Sequence, residues 1–403
     1  VGDWHVIAGE YPPTFGGVAA YTAHLAAGLA DAGEATHVWT LGTPQQDDDR
    51  PGLSVHRVGG SWSRSAFGRV SEGIAALPGN GPRRLLVQYT PNSFGAKGMN
   101  LGLCRWLDRR SRLGDDVRVT FHELWYFPVA GDRIARLVLG GVQRLMVRSL
   151  LNSCSSVYVT IPHWAELLKR YPAARRLPVV WLPVPSNIPV LDDPVAVAEV
   201  RRRVAGESPA VVGHFGTYSG RIEELLASAL PRVLEACPGA VGLLIGPGGE
   251  AFAGRAVEAH PGLRGRLVAT GALSATAVSH HLRACDLLVQ PYPDGVTSRR
   301  TTVMAALEHG VPVVTTRGVM SEPVWDESQA VATAPEGDAE ALARLAAGLL
   351  ADPVRRARLG EVARQTYLRH FALERVVETL LQVPGSGADG GLTEQARAAE
   401  ATR

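Results

Sequence analysis

Twice along this chain, short apolar runs alternate with loops and with stretches of helical periodicity, and that doubled alternation leaves few folds open. Residues 4–8, Trp-His-Val-Ile-Ala, are the first apolar run. Gly9-Glu-Tyr-Pro-Pro-Thr-Phe-Gly-Gly17 follows, and its paired prolines and glycines suit neither helix nor strand. Val18, Tyr21, Leu25 and Leu29 then recur at helical spacing, with Gly33 placed to end that helix. Residues 36–40 read as the next strand. Strand, loop, helix, strand is a βαβ unit, and such units build parallel sheets. Residues 84–89, 117–121 and 156–160 continue the series as strands, with a helix over 134–151.

The proline-rich stretch 181–190 reads as an extended linker. A second series starts near Ala210, with strands at 210–215, 241–245, 266–270, 286–290 and 311–315 and helices between them. Pro231 should kink or split the helix over 223–236. Later helices span 338–350, 353–369 and 372–381. The expected fold class is α/β, with two doubly wound Rossmann-like domains facing a cleft. The expected divisions are a first domain at 1–185, a second domain at 186–369, a closing helix at 370–383, and a disordered tail at 384–403.

The 403 residues exceed one ordinary domain, and a 46% apolar fraction suffices for two cores. A net charge of +2 gives no footprint for nucleic acid. Cys104, Cys154, Cys237 and Cys285 lie too far apart for a metal or disulfide framework and read as reduced core thiols. No apolar run reaches the ~20 residues that cross a bilayer, and no signal peptide is evident, so a cytoplasmic location is expected. A homodimer is left open.

The chemistry concentrates in Asp294-Gly-Val-Thr-Ser-Arg-Arg-Thr-Thr302, a polar loop running into a helix that precedes an apolar strand. Unpaired N–H groups and the positive dipole end make a helix start an anion site. Ser298, Thr301 and Thr302 would supply hydroxyls and amides there. Arg299 and Arg300 would supply two guanidiniums, a set suited to a diphosphate. The alternative is a pair of solvated arginines capping a surface helix. Gly16 and Gly17, before the first helix, would let backbone approach a phosphate. The missing G-x-G-x-x-G after the first strand argues against a dinucleotide site.

Several segments, in order, resemble retaining nucleotide-sugar glycosyltransferases of family 4, which have the GT-B fold. They are the loop 10–21, Phe121-His122-Glu123, Phe215-Gly216, Ile245-Gly-Pro-Gly248, the loop at Gly271, Asp286-Leu-Leu-Val-Gln-Pro291, Gly310-Val-Pro-Val-Val314 and Phe371-Ala-Leu-Glu-Arg375. The similarity covers about residues 4 to 381, and it implies an acceptor-side domain at 1–185, a nucleotide-sugar-binding domain at 186–369 and a return of the helix at 370–383 to the first domain. It implies a UDP- or GDP-linked sugar as donor substrate, a small-molecule or glycan acceptor, and neither cofactor nor metal. It also implies same-face attack without an enzyme nucleophile, and a place in secondary-metabolite or surface-polysaccharide assembly. His122 would lie near the donor sugar, with Glu123 as a base toward the acceptor or an arginine's partner. Leu273 would hold the nucleotide base by backbone contacts. Asn92, Phe94, Lys97 and Tyr126 would line the acceptor side, the alternative being that the aromatics form small loop cores, and Asp294 could reach the sugar.

The chain departs from the family pattern where two glutamates usually stand eight residues apart, since those positions are Thr297 and Ala305. The family's arginine and lysine at the start of the second domain fall on Thr217 and Ile222. Arg221 is the neighbouring substitute, so the cation clamp is expected to move to Arg299 and Arg300. Glu308 is expected to face solvent. The missing glutamates keep two rivals open: a catalytically silent nucleotide- or partner-binding protein, and a GT-B enzyme that epimerises a sugar or couples a non-sugar donor.

Overall fold

The computed structural model describes residues 2–14, 16–43, 50–78, 82–129, 131–218 and 220–383. The tail expected at 384–403 lies outside them. The chain divides into two compact units, one of residues 1–159, 164–182 and 377–403, the other of residues 160–163 and 183–376.

The strands of the first unit are β1 (Trp4–Ala8), β2 (Thr36–Leu41), β3 (Leu53–Val58), β4 (Arg84–Tyr89), β5 (Asp116–Phe121), β6 (Ser156–Val159) and β7 (Val179–Trp181). Its helices are α1 (Gly17–Asp31), α2 (Arg64–Ala76), α3 (Leu101–Arg112), α4 (Ile134–Ser153) and α5 (Pro162–Leu168); the first two residues of α5 group with the second unit. The seven strands pair in parallel in the order β3-β2-β1-β4-β5-β6-β7. Strand β1 is buried at every position, as a central parallel strand covered on both faces must be. Helix α1 buries Tyr21, Leu25 and Leu29, and each such burial contributes about 1.5–3 kcal/mol. Gly33, at φ +86°, ends it. The amides of Gly33 and Glu34 return to the carbonyls of Ala30 and Leu29 at 2.9 and 3.0 Å, which satisfies the last turn.

The second unit has strands β8 (Val211–Phe215), β9 (Val241–Ile245), β10 (Leu267–Ala269), β11 (Leu287–Gln290), β12 (Val313–Arg317) and β13 (Ala332–Pro335). Its helices are α6 (Pro194–Ala205), α7 (Gly220–Ala236), α8 (Gly249–Ala259), α9 (Ala275–Arg283), α10 (Thr301–Glu308), α11 (Val324–Ser328), α12 (Ala339–Ala351), α13 (Pro353–His370) and α14 (Leu373–Gln382). The order is β10-β9-β8-β11-β12-β13, again all parallel. The chain re-enters the first unit at Val377, inside α14. The carbonyl of Leu380 there accepts a bond from the Arg118 guanidinium at 3.2 Å.

Both sheets therefore have the doubly wound order, with direction reversing between β1 and β4 and between β8 and β11. This is the two-domain GT-B architecture. Pro231 does not split its helix, because α7 runs through it as one element. The core formed by Leu226, Leu230, Val233 and Leu234 with Leu342, Ala346 and Leu349 of α12 offsets the one lost backbone bond. All four cysteines are buried and free. No helix among the described residues is long and apolar enough to cross a membrane.

Candidate functional site

Ligands of open α/β sheets sit beyond the strand C-termini where the winding reverses. In the second unit that place lies between the ends of β8 and β11. A Cβ built on Gly216, just after β8, would stand 3.7 Å from His214 Nε2 and 3.8 Å from Thr302 Cγ2. Strand β8, the following loop and the first turn of α10 thus converge. One on Gly246, at φ +119°, would stand 2.2 Å from the carbonyl oxygen of Gly216, so only glycine lets the loops after β8 and β9 touch.

His214 is fully buried. Its Nδ1 lies 2.8 Å from the carbonyl of Val289, which can only accept, so Nδ1 carries the proton. Burial lowers its pKa to about 4, and the ring is neutral near pH 7. Nε2 is then an acceptor, and it is buried without a hydrogen-bond partner. Gln290, at the end of β11, donates from Nε2 to the carbonyl of Phe215 at 2.9 Å, while its Oε1 is also buried and unpartnered. Two acceptors thus stand unsatisfied at one reversal point, where such groups ordinarily find partners.

Helix α10 begins at Thr301, with Arg300 as its N-cap and no side-chain cap. The first-turn amides of Thr301 and Thr302 have no intrahelical acceptor by position. Arg300 is half-buried and lies over the ring of Tyr292, 4.6 Å from its centroid. The Tyr292 hydroxyl pairs with Thr302 Oγ1 at 2.8 Å. Arg299 is half-buried beside it. Neither arginine is the fully solvated cap of the alternative reading.

Ser298 requires correction. It was expected to present its hydroxyl and amide to an anion, but it precedes the helix and is fully buried. Its amide and hydroxyl both bond Glu322 Oε1, at 2.7 and 2.6 Å, and the hydroxyl also lies 3.0 Å from the carbonyl of Thr160. Trp325 Nε1 donates to Glu322 Oε2 at 2.6 Å. Burial pushes the Glu322 carboxyl above the ordinary carboxylate range, and the Ser298 donors oppose that shift. Glu322 thus pins the arginine loop from the far side of β12. The same loop is held at Gly295, at φ +85°, where a Cβ would come within 2.2 Å of the Gly318 nitrogen.

Asp294 is half-buried in this loop, and its carbonyl accepts from the Met320 amide at 3.0 Å. Arg221 is exposed on the first turn of α7. Leu273 is partly exposed beyond Gly271, which bridges Gly246. Thr297 and Ala305, where the family has glutamates, are 1% and 0% exposed. Glu308 does not face solvent as expected. It is half-buried at the far end of α10, hydrogen-bonded to Ser186 and Tyr367, and burial raises its pKa.

In the first unit, His122 follows β5 and is buried. Its Nε2 lies 2.8 Å from Gln88 Oε1 at the end of β4, and the Tyr21 ring meets it edge-on at 4.9 Å. Its carbonyl accepts from Trp164 Nε1 at 3.1 Å, so that oxygen is already engaged. Glu123 is exposed. Gly16 caps α1 with no side-chain bond, and Gly17 has open space around it. Asn92 and Lys97 are exposed on the loop after β4. Two of the acceptor-side residues are engaged within their own loops. Phe94 is fully buried against Trp62, at 5.3 Å, and Asn100 binds its carbonyl, so it is loop core. The Tyr126 hydroxyl is tied to both oxygens of Asp132, at 3.0 and 2.9 Å.

Sequence reasoning missed His214, Gln290, Tyr292 and Glu322. The usable signal for the first two was a polar residue near the C-terminal end of an apolar strand. Residues 209–352 match the family model described as glycosyl transferases group 1, and residues 16–178 match the glycosyl transferase 4-like domain. The chain is a glycosyltransferase of the GT-B type. No curated protein matches it by sequence. Among solved structures it is similar to a sucrose-phosphate synthase from Thermosynechococcus elongatus, with TM-score 0.68, 17% identity and full coverage of both chains. Anabaena HepE in complex with UDP and glucose gives TM-score 0.68 and 15% identity over 95% of this chain and 99% of that one. WaaG, a glycosyltransferase involved in lipopolysaccharide biosynthesis, gives 0.66 and 17% over 96% and 100%.

Proposed function

We propose that this glycosyltransferase is a retaining enzyme that moves a hexose-type sugar from a UDP- or GDP-sugar to a small-molecule or glycan acceptor without a metal ion. The observation that supports this most is the convergence of His214, Gln290, Arg300 and the open end of α10 at one reversal point. HepE, similar in fold, is described in complex with UDP and glucose.

In the proposed reaction the bond from the anomeric carbon to the diphosphate breaks, and negative charge grows on the departing oxygen. Arg299, Arg300 and the amides of Thr301 and Thr302 stabilise that charge. Arg221 adds a more distant positive charge. The neutral His214 Nε2 accepts from a ligand hydroxyl. His122, its imidazole aligned by Gln88, contacts the sugar, and the acceptor hydroxyl attacks from the face the diphosphate leaves. Glu123 takes the acceptor's proton.

The substitution of Thr297 and Ala305 for the family's glutamates favours a second reading, a nucleotide binder without turnover. Melting shifts with UDP, GDP and ADP, followed by an assay for donor hydrolysis, separate the two. A shift with hydrolysis supports the enzyme, and a shift without it supports the binder. No shift with any nucleotide overturns both.

A further inference from the structure

Helix α4 has two apolar faces. One, with Met146, Val147, Leu150 and Leu151, is buried. The other carries Ile134, Val138 and Leu145, which are 78%, 55% and 53% exposed, with Leu137 between them. These positions are spaced by three, four and seven residues, so they form one stripe along the helix. The preceding loop adds exposed Phe127 and Val129.

Charge decides what such a stripe fits. Helix α4 contains Arg136, Arg144 and Arg148 and no aspartate or glutamate, and Arg133 at its N-cap is exposed. The nearby Asp132 is occupied by the Tyr126 hydroxyl, the Val129 amide and Arg136. A second copy docking through the same face would bring arginines against arginines, since a two-fold contact pairs a patch with itself. An apolar stripe edged by arginines matches instead the boundary between anionic headgroups and acyl chains.

We propose that this face of α4, with the Phe127–Val129 apex, seats the protein on an anionic lipid surface, the helix lying in the interface without spanning it. At 20 residues it is about 30 Å long. Phe127 stacks on Trp164 at 5.8 Å, and Trp164 bonds the His122 carbonyl, so the docking face continues toward the end of β5. The proposal does not depend on which reaction the protein performs.

Flotation of the full chain with phosphatidylcholine vesicles, with and without phosphatidylglycerol, tests it. The chain should float with the anionic vesicles and be released by salt. Val138→Glu with Leu145→Glu should cut binding about tenfold or more. Arg133→Gln with Arg148→Gln should cut it about fivefold per arginine on anionic vesicles only. Should the glutamate variants fail to fold, hydrogen exchange of the unaltered chain provides the readout, with vesicle-dependent protection of Val129 and the first half of α4. Absence of flotation, or protection that rises with protein concentration without vesicles, overturns the assignment. The second result gives the face to another copy of the chain.

Discussion

Two buried histidines sit at strand ends in the two sheets and are treated oppositely. His122 is engaged at three points, its Nε2 by Gln88, its carbonyl by Trp164 and its ring by Tyr21. His214 is bonded through Nδ1 and leaves Nε2 buried without a partner, beside an equally unmatched Gln290 Oε1. An unmatched buried acceptor costs about 1–3 kcal/mol of stability. The His122 ring already has its partner, although Gln88 Nε2 beside it is buried without one, whereas the His214 ring gains a partner when a ligand donor arrives. Binding preference should therefore reside in the second unit and positioning in the first.

The largest expected effect tests the scaffold of the second site. Glu322→Ala removes the acceptor for the Ser298 amide, the Ser298 hydroxyl and the Trp325 indole together. It should destabilise the protein by about 3 kcal/mol or more, read by urea denaturation. A loss below about 1 kcal/mol would mean that the arginine loop holds its shape unaided.

Acid provides the next contrast. Burial lowers His5 to about 3, and His56 and His214 to about 4, from 6.5. The unfolded chain therefore takes up these protons first as pH falls, and stability drops between about pH 6.5 and 3. His214 alone accounts for on the order of 3 kcal/mol. The melting temperature should fall through this window, and His214→Phe should flatten the drop. An unchanged slope in that variant would show that His214 does not titrate as its burial requires.

Ligand binding gives smaller effects. Arg299→Ala and Arg300→Ala should each weaken nucleoside diphosphate binding by about 1–3 kcal/mol in calorimetry. Unchanged affinity in both would remove the cation clamp from this loop. Finest of all is the histidine pair itself. His214→Phe should weaken nucleotide binding by about 1 kcal/mol, and His122→Phe should leave it alone while lowering stability by a similar amount. The reverse pattern would invert the comparison.

The central strands were readable because residues buried on both faces must be apolar, as in 241–245 and 311–315. The edge strands β3, β7 and β13 escaped, since their half-exposed residues carry no such run, and the last residue of β7, Trp181, was read as linker. The helix start at Thr301, just after the arginine pair, was legible because a polar loop running into an apolar helix is a local pattern. The hold on Ser298 was not legible. Its partner lies 24 residues away, beyond a strand, and a buried glutamate reads in sequence like a solvated one. Phe94 was ambiguous for the converse reason, an aromatic in a loop being equally suited to a ligand and to the loop's own packing, and the structure has it buried.

Because Glu322 grips the backbone just ahead of the arginine pair, those side chains inherit their stance from the far side of β12. A diphosphate would meet a surface already set, with little chain freedom to surrender on arrival. Nucleotides that differ only in base should then share the diphosphate part of their affinity, and selectivity among them would be decided at the loops beyond Gly246 and Gly271.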